Sequence, residues 1–129
     1  MDKKYLKKII AQSPLDLKMI SACCSEAKLK LSDIKYLPKN KLFLISIERL
    51  NKEIENKSEK INSIIKFEFI ESSKSKNIDQ SKQEIILELL AIDLVKKNQN
   101  YEIILLFSNN AFITLSAEII EVTLEDQKK

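Results

Sequence analysis

The stretch KLFLISIERL (residues 41–50) decides the fold. Phe43, Ile45 and Ile47 recur at every second position, with Leu42 and Leu44 on the opposite side. A period of two places alternate side chains on opposite faces of a pleated strand. The same period appears in Ile61–Glu71, where Ile65, Phe67 and Phe69 alternate with Lys66 and Glu68. Tyr101–Phe107 and Ala111–Ser116 read as two further strands, and Ile120, Val122 and Leu124 extend the second. Asn109-Asn110 stands where a two-residue hairpin loop belongs, because asparagine tolerates positive φ. Glu84–Val95 fits a strand, although Ile85, Leu89 and Ile92 also carry helical spacing.

Upstream of this region the pattern differs. Tyr5–Ala11 is a short strand. Ser13-Pro14-Leu15-Asp16 reads as a helix start, with serine able to cap and proline suited to the first turn. The helix is expected to reach about Ala27. Leu15, Met19, Ala22, Cys23 and Ala27 would lie near its buried face, widened by Leu17, Ile20 and Cys24. After Leu29 the period is two, and its parity slips near Ser32-Asp33, as a bulge would cause. Leu37-Pro38-Lys39-Asn40 is a turn signal, with Asn40 the candidate for left-handed backbone. Polar connections are expected near 51–60 and 72–83, the second a serine- and lysine-rich loop able to contact phosphate or dock a partner.

These elements predict a single α+β domain over residues 1–129. One N-terminal helix would pack on a mostly antiparallel, curled sheet or partial barrel of about seven strands, with a pleckstrin-like half-barrel as one form.

The chain contains neither glycine nor histidine. A glycine-rich phosphate cradle and a glycine-framed nucleophile elbow are therefore missing. So are the imidazole base and the usual nitrogen ligand for zinc. No cofactor or metal is expected, and an enzyme is the less favoured class. Adjacent Cys23 and Cys24 are poorly placed for a disulfide and argue for reduced thiols in a cytoplasmic setting. They fall late in the helix, where the dipole disfavours a thiolate, so core packing is the better reading. No stretch is apolar enough to span a membrane.

The net charge is +3, too small to mark a dedicated nucleic-acid binder. Lys7 and Lys8, with Lys3 and Lys4, form the densest basic cluster. Arg49 is the single arginine, and its fork could clamp a carboxylate or phosphate. A structural ion pair with Glu48 or Asp79 is the competing role. Asp93 is an acid inside an apolar run, facing either solvent or a buried partner. The candidate binding residues are thus Arg49, Asp79, Lys7 and Lys8.

Read together, several segments resemble a family of small uncharacterised alphaproteobacterial proteins known as domain of unknown function 2948. They are LKMISACCSEAKLKLSDIKYLP, LFLISIERLN, FEFIESSKSKNID, EIILELLAIDL and AFITLSAEIIEVTLED. Family members place glutamine and aspartate where this chain has Ser25 and Glu26, and several arginines where it has lysine. Arg49 coincides with an arginine of the family. The resemblance implies a small cytoplasmic bacterial protein and no particular activity.

Three functions are expected in descending order. The first is a non-enzymatic binding or interaction domain using strand edges, with a protein partner or self-association. The second is weak nucleic-acid or nucleotide binding through lysines around Lys3–Lys8 and Lys74–Lys82. The third is a carboxylate- or metal-dependent enzyme.

Overall fold

A computed structural model describes residues 6–51 and 59–127. In chain order the elements are β1 (Lys8–Ala11), α1 (Pro14–Cys24), β2 (Ala27–Lys30), β3 (Ile34–Leu37), β4 (Leu42–Asn51) and β5 (Glu59–Phe67). They continue with β6 (Ile70–Lys76), β7 (Ile86–Lys97), β8 (Asn100–Phe107), β9 (Phe112–Ala117) and β10 (Val122–Asp126). All pairings among the described strands are antiparallel.

The helix start follows its sequence signal. Ser13 Oγ accepts from the Asp16 amide at 3.2 Å, satisfying one of the free donors of the first turn. The helix ends earlier than expected, at Cys24, because Glu26 takes positive φ and Ala27 is already in β2. The buried face is Leu17, Ile20 and Cys24, whereas Leu15 is 71% exposed and Met19 54% exposed. The helix lies mainly on β7 and β1. Ser21 Oγ accepts from the Ile92 amide at 2.9 Å, beyond the point where β2 stops pairing with β7. The helix therefore satisfies an edge donor that the short strand leaves open.

The sheet corrects the expected architecture. It holds ten described strands in the order β1-β10-β5-β4-β2-β7-β8-β9-β6, with β3 attached to β4 off this path. Among the described residues its two ends do not pair, so the curled sheet or pleckstrin-like partial barrel of about seven strands is not formed. Ring closure requires a continuous hydrogen-bonded ladder, and here the path runs open from β1 to β6. The strand number rises at three places. First, a 3₁₀ turn at Leu31–Asp33 divides β2 from β3 where a simple bulge was expected. Both strands still pair with the same strand β4, at Lys28↔Glu48 and Ile34↔Ile45. Second, Phe69 adopts φ 61°, so the expected strand over 61–71 breaks into β5 and β6. Third, the single strand expected over 111–124 divides at residues 118–121 into β9, paired with β8 and β6, and β10, paired with β1 and β5.

Lacking glycine, the chain places other residues in the left-handed region. Asn77, Asn98, Asn109 and Asn110 do so, as expected of asparagine. Asn109 and Asn110 (φ 63° and 60°) form the anticipated β8–β9 hairpin loop. At the other turn the left-handed residue is Lys41 (φ 54°), and Asn40 belongs to a 3₁₀ turn. Of the polar connections, Asn51 and Lys60 belong to strands and 52–58 lie outside the described residues. The expected 72–83 loop begins later, because Ser72–Lys76 are in β6.

The core lies on one face of the strands. Phe43, Ile45 and Ile47 of β4 stand among Ile65, Phe67, Leu89, Leu105, Leu115 and Val122. Phe43 and Phe67 are cross-strand partners whose rings meet edge-on, 5.9 Å between centroids. Such pairing adds to the burial of each ring. Asp93 is exposed on the outer face of β7.

Candidate functional site

Strand alternation carries Arg49 inward with Phe43, Ile45 and Ile47, into the apolar interior. Its side chain is 1% exposed. Burial of a guanidinium in such surroundings demands a charged, hydrogen-bonded partner. That partner is Asp126, at the end of β10, and neither Glu48 nor Asp79. Arg49 Nε donates to Asp126 Oδ1 at 3.0 Å and Nη2 to Oδ2 at 2.7 Å. Ser63 Oγ donates to Oδ1 at 2.6 Å, and the Lys7 amide donates to Oδ2 at 2.8 Å. Burial pushes the Asp126 carboxyl up, but the bonds from Arg49, Ser63 and Lys7 prevail and hold it below its ordinary range.

The arginine fork thus holds a carboxylate of its own chain. Cys24, the buried neighbour on α1, is pushed up to about 12 by burial, against the opposing pull of Arg49. Its thiol is therefore protonated at neutral pH and packs as a small hydrophobe. Cys23 and Cys24 are both free. Glu48 faces Lys60 across 4.0 Å at the surface.

Of the other sequence candidates, Lys7 joins Arg49 at Asp126 through its backbone amide, while the side chains of Lys8 and Asp79 make no hydrogen bond or ion pair with that cluster among the described residues. Lys7 and Lys8 border a hollow of about 540 Å³ with Glu125 and Asp126. Lys3 and Lys4 lie outside the described residues. Asp79 sits in the connection after β6. Ser81 donates to it through both hydroxyl (2.6 Å) and amide (3.0 Å), and these bonds lower its carboxyl below the usual range. It makes a local turn with no link to Arg49.

A different place has the makings of a site. Among the described residues β3 pairs only with β4, and β6 only with β9. Both therefore keep an unpaired edge, and both line one cavity of about 290 Å³. Leu31, Ile34, Phe43 and Ile113 supply its apolar wall. Tyr36, Ser73, Ser75, Gln80 and Gln83 supply its hydroxyls and amides. Ser73 and Ser75 face the core side in register with Leu115 and Ile113. The inner face of the sheet thus turns from aliphatic to hydroxyl at its last strand.

Both ends of this cleft are tied. At one, the Ile70 amide donates to Lys41 O at 2.9 Å, and Lys41 Nζ reaches Glu71 at 3.0 Å and Glu118 at 3.5 Å. At the other, the Ser32 amide donates to Gln83 O at 3.0 Å, and Gln80 Nε2 to Ser75 Oγ at 3.2 Å. The cavity sits at the lower edge of ligand-pocket size and suits one side chain or a small fragment. A larger hollow of about 650 Å³ beside Asn98 and Gln99 is lined by polar residues alone. Among the described residues, no group of three or more cysteine and acid side chains is arranged to hold a metal ion. No helix there is long and apolar enough to cross a membrane.

Sequence reasoning missed Asp126 and Ser63, and of the cleft it singled out only the 72–83 side, as a serine- and lysine-rich loop able to dock a partner. The alternation Ser73-Lys74-Ser75-Lys76 carried the strand period, but in polar residues.

An open antiparallel sheet with one helix, a buried ion cluster and a two-edged cleft defines a small α+β protein without a recognisable catalytic constellation among its described residues. Residues 7–129 match the family described as "Protein of unknown function (DUF2948)", and the chain belongs to it. No curated protein matches it. A similar solved structure is the crystal structure of an uncharacterized protein from Neisseria gonorrhoeae. It is 19% identical, with a TM-score of 0.47, covering 90% of this chain and 96% of that one.

Proposed function

We propose that this chain is a small, non-enzymatic bacterial binding protein of the cytoplasm that takes a short extended segment of a partner protein at the β3–β6 cleft. One observation carries the reading: among the described residues two strands that each pair with a single neighbour, β3 and β6, line the same cavity. Edge pairing supplies main-chain hydrogen bonds, and a cavity beside the edge selects alternate side chains. The apolar wall fits an aliphatic side chain, and the serine and glutamine groups fit the polar main chain beside it. The free cysteines accord with a reducing compartment.

The test is an amide chemical-shift titration with a capped eight-residue peptide alternating valine and threonine. The reading expects signals of Tyr36, Ser73, Ser75 and Gln80 to move together. It also expects Ser73→Leu, which fills the cavity, to abolish the movement. Shifts elsewhere on the surface, or none at millimolar peptide, would reject it.

A further inference from the structure

The cleft has a second feature, on the opposite face of the same strands. Lys74 and Lys76 alternate with Ser73 and Ser75 along β6, and Lys35 stands between Ile34 and Tyr36 on β3. All three lysines are exposed. Among the described residues none of them is in an ion pair. The acid on β6, Glu71, is already engaged by Lys41. The charge left without an ion pair on the two edge strands themselves is therefore positive.

Resting on the cleft reading, we propose that the occupant is an acidic extended peptide segment, apolar at alternate residues, added as a strand to the free edge of β6. Strand geometry sets the pattern. A segment paired with β6 presents alternate side chains to the two faces. Those on the inner face enter the cavity against Phe43 and Ile113. Those on the outer face stand beside Lys74 and Lys76, where opposite charges stabilise a cross-strand pair and like charges oppose it. The same lysines disfavour pairing with β6 of a second copy, which would set lysine against lysine. They also disfavour other strands of the lysine-rich type common in this chain. A nucleic-acid strand would use the lysines but would leave the strand edges unpaired, and Tyr36, half-buried against Phe43, is the sole ring in the cavity wall offered by β3.

Fluorescence anisotropy tests this with four labelled probes: capped octapeptides alternating valine with glutamate, threonine or lysine, and a single-stranded RNA octamer. The glutamate peptide should bind at least tenfold tighter than the threonine peptide, and the lysine peptide more weakly than both. Lys74→Glu/Lys76→Glu should invert the order of the glutamate and lysine peptides. Both substitutions lie on exposed side chains, and an unchanged melting temperature verifies the fold. Equal binding of glutamate and threonine peptides, unaffected by the double variant, would overturn the acidic assignment and leave the cleft reading standing. No peptide bound at all would overturn both. RNA bound in preference to every peptide would replace the partner with nucleic acid.

Discussion

Arg49 and Asp126 are 77 positions apart in the chain, and their side chains meet at 2.7 Å in the interior. The same carboxylate accepts from the Lys7 amide. One buried group thus joins β4, β10 and the segment entering β1. Removing either partner strands a charge in an apolar site, which costs about 3–5 kcal/mol. Asp126→Ala and Arg49→Met are each expected to lose that much in urea unfolding. The double variant Arg49→Met/Asp126→Leu should lose much less than the sum of two single variants. Additive losses would mean that the pair is not coupled.

The pH dependence follows from the same carboxylate. Its folded value lies below its unfolded one, so its contribution is complete above the unfolded carboxyl range. That contribution is lost as pH falls through the folded value. The stability gap between the wild-type chain and Asp126→Asn should therefore be widest near neutrality and close in acid. A gap that stays constant from pH 7 down to pH 2 would contradict the assignment.

The two adjacent cysteines should differ in reactivity. Cys24 is buried with its thiol pushed up to about 12, whereas Cys23 is only partly covered. Thiolate is the reactive form. An alkylating reagent at pH 7.5 should modify Cys23 well before Cys24 in the native protein, and both at similar rates in urea. Mass spectrometry of the modified peptide after brief exposure reads the order.

The helix provides a packing test. Leu17→Ala and Ile20→Ala empty core positions and should each cost about 2–5 kcal/mol. Met19→Ala, on the exposed face, should change stability by less than about 0.5 kcal/mol. Ser21→Ala removes the acceptor of the Ile92 amide and should cost about 1 kcal/mol.

Local chemistry made part of this legible from sequence. Ser13-Pro14 marks the helix start because capping and ring geometry act within one turn, and Asn109-Asn110 marks its hairpin for the same kind of reason. The exposed helix face was mistaken because Leu15 and Met19 are as apolar as Leu17 and Ile20, and only the position of β7 decides which stripe is covered. Strand β6 was hidden because Ser72–Lys76 lacks the hydrophobic alternation by which a half-buried strand is recognised. It pairs through its backbone with β9 all the same. The partner of Arg49 was invisible because nothing local links β4 to the end of β10. Open topology, too, depends on which distant edges pair, and the sequence period is silent on that.

Hydrogen–deuterium exchange, read residue by residue with and without the valine–glutamate octapeptide, tests the peptide-binding account most directly. The free edge of β6 should exchange quickly in the unbound protein, and its outward-facing amides between Ser72 and Lys76 should slow at least tenfold on binding. Slowing confined to the Asn98–Asn100 hairpin, or unchanged exchange along β6 at saturating peptide, would contradict it.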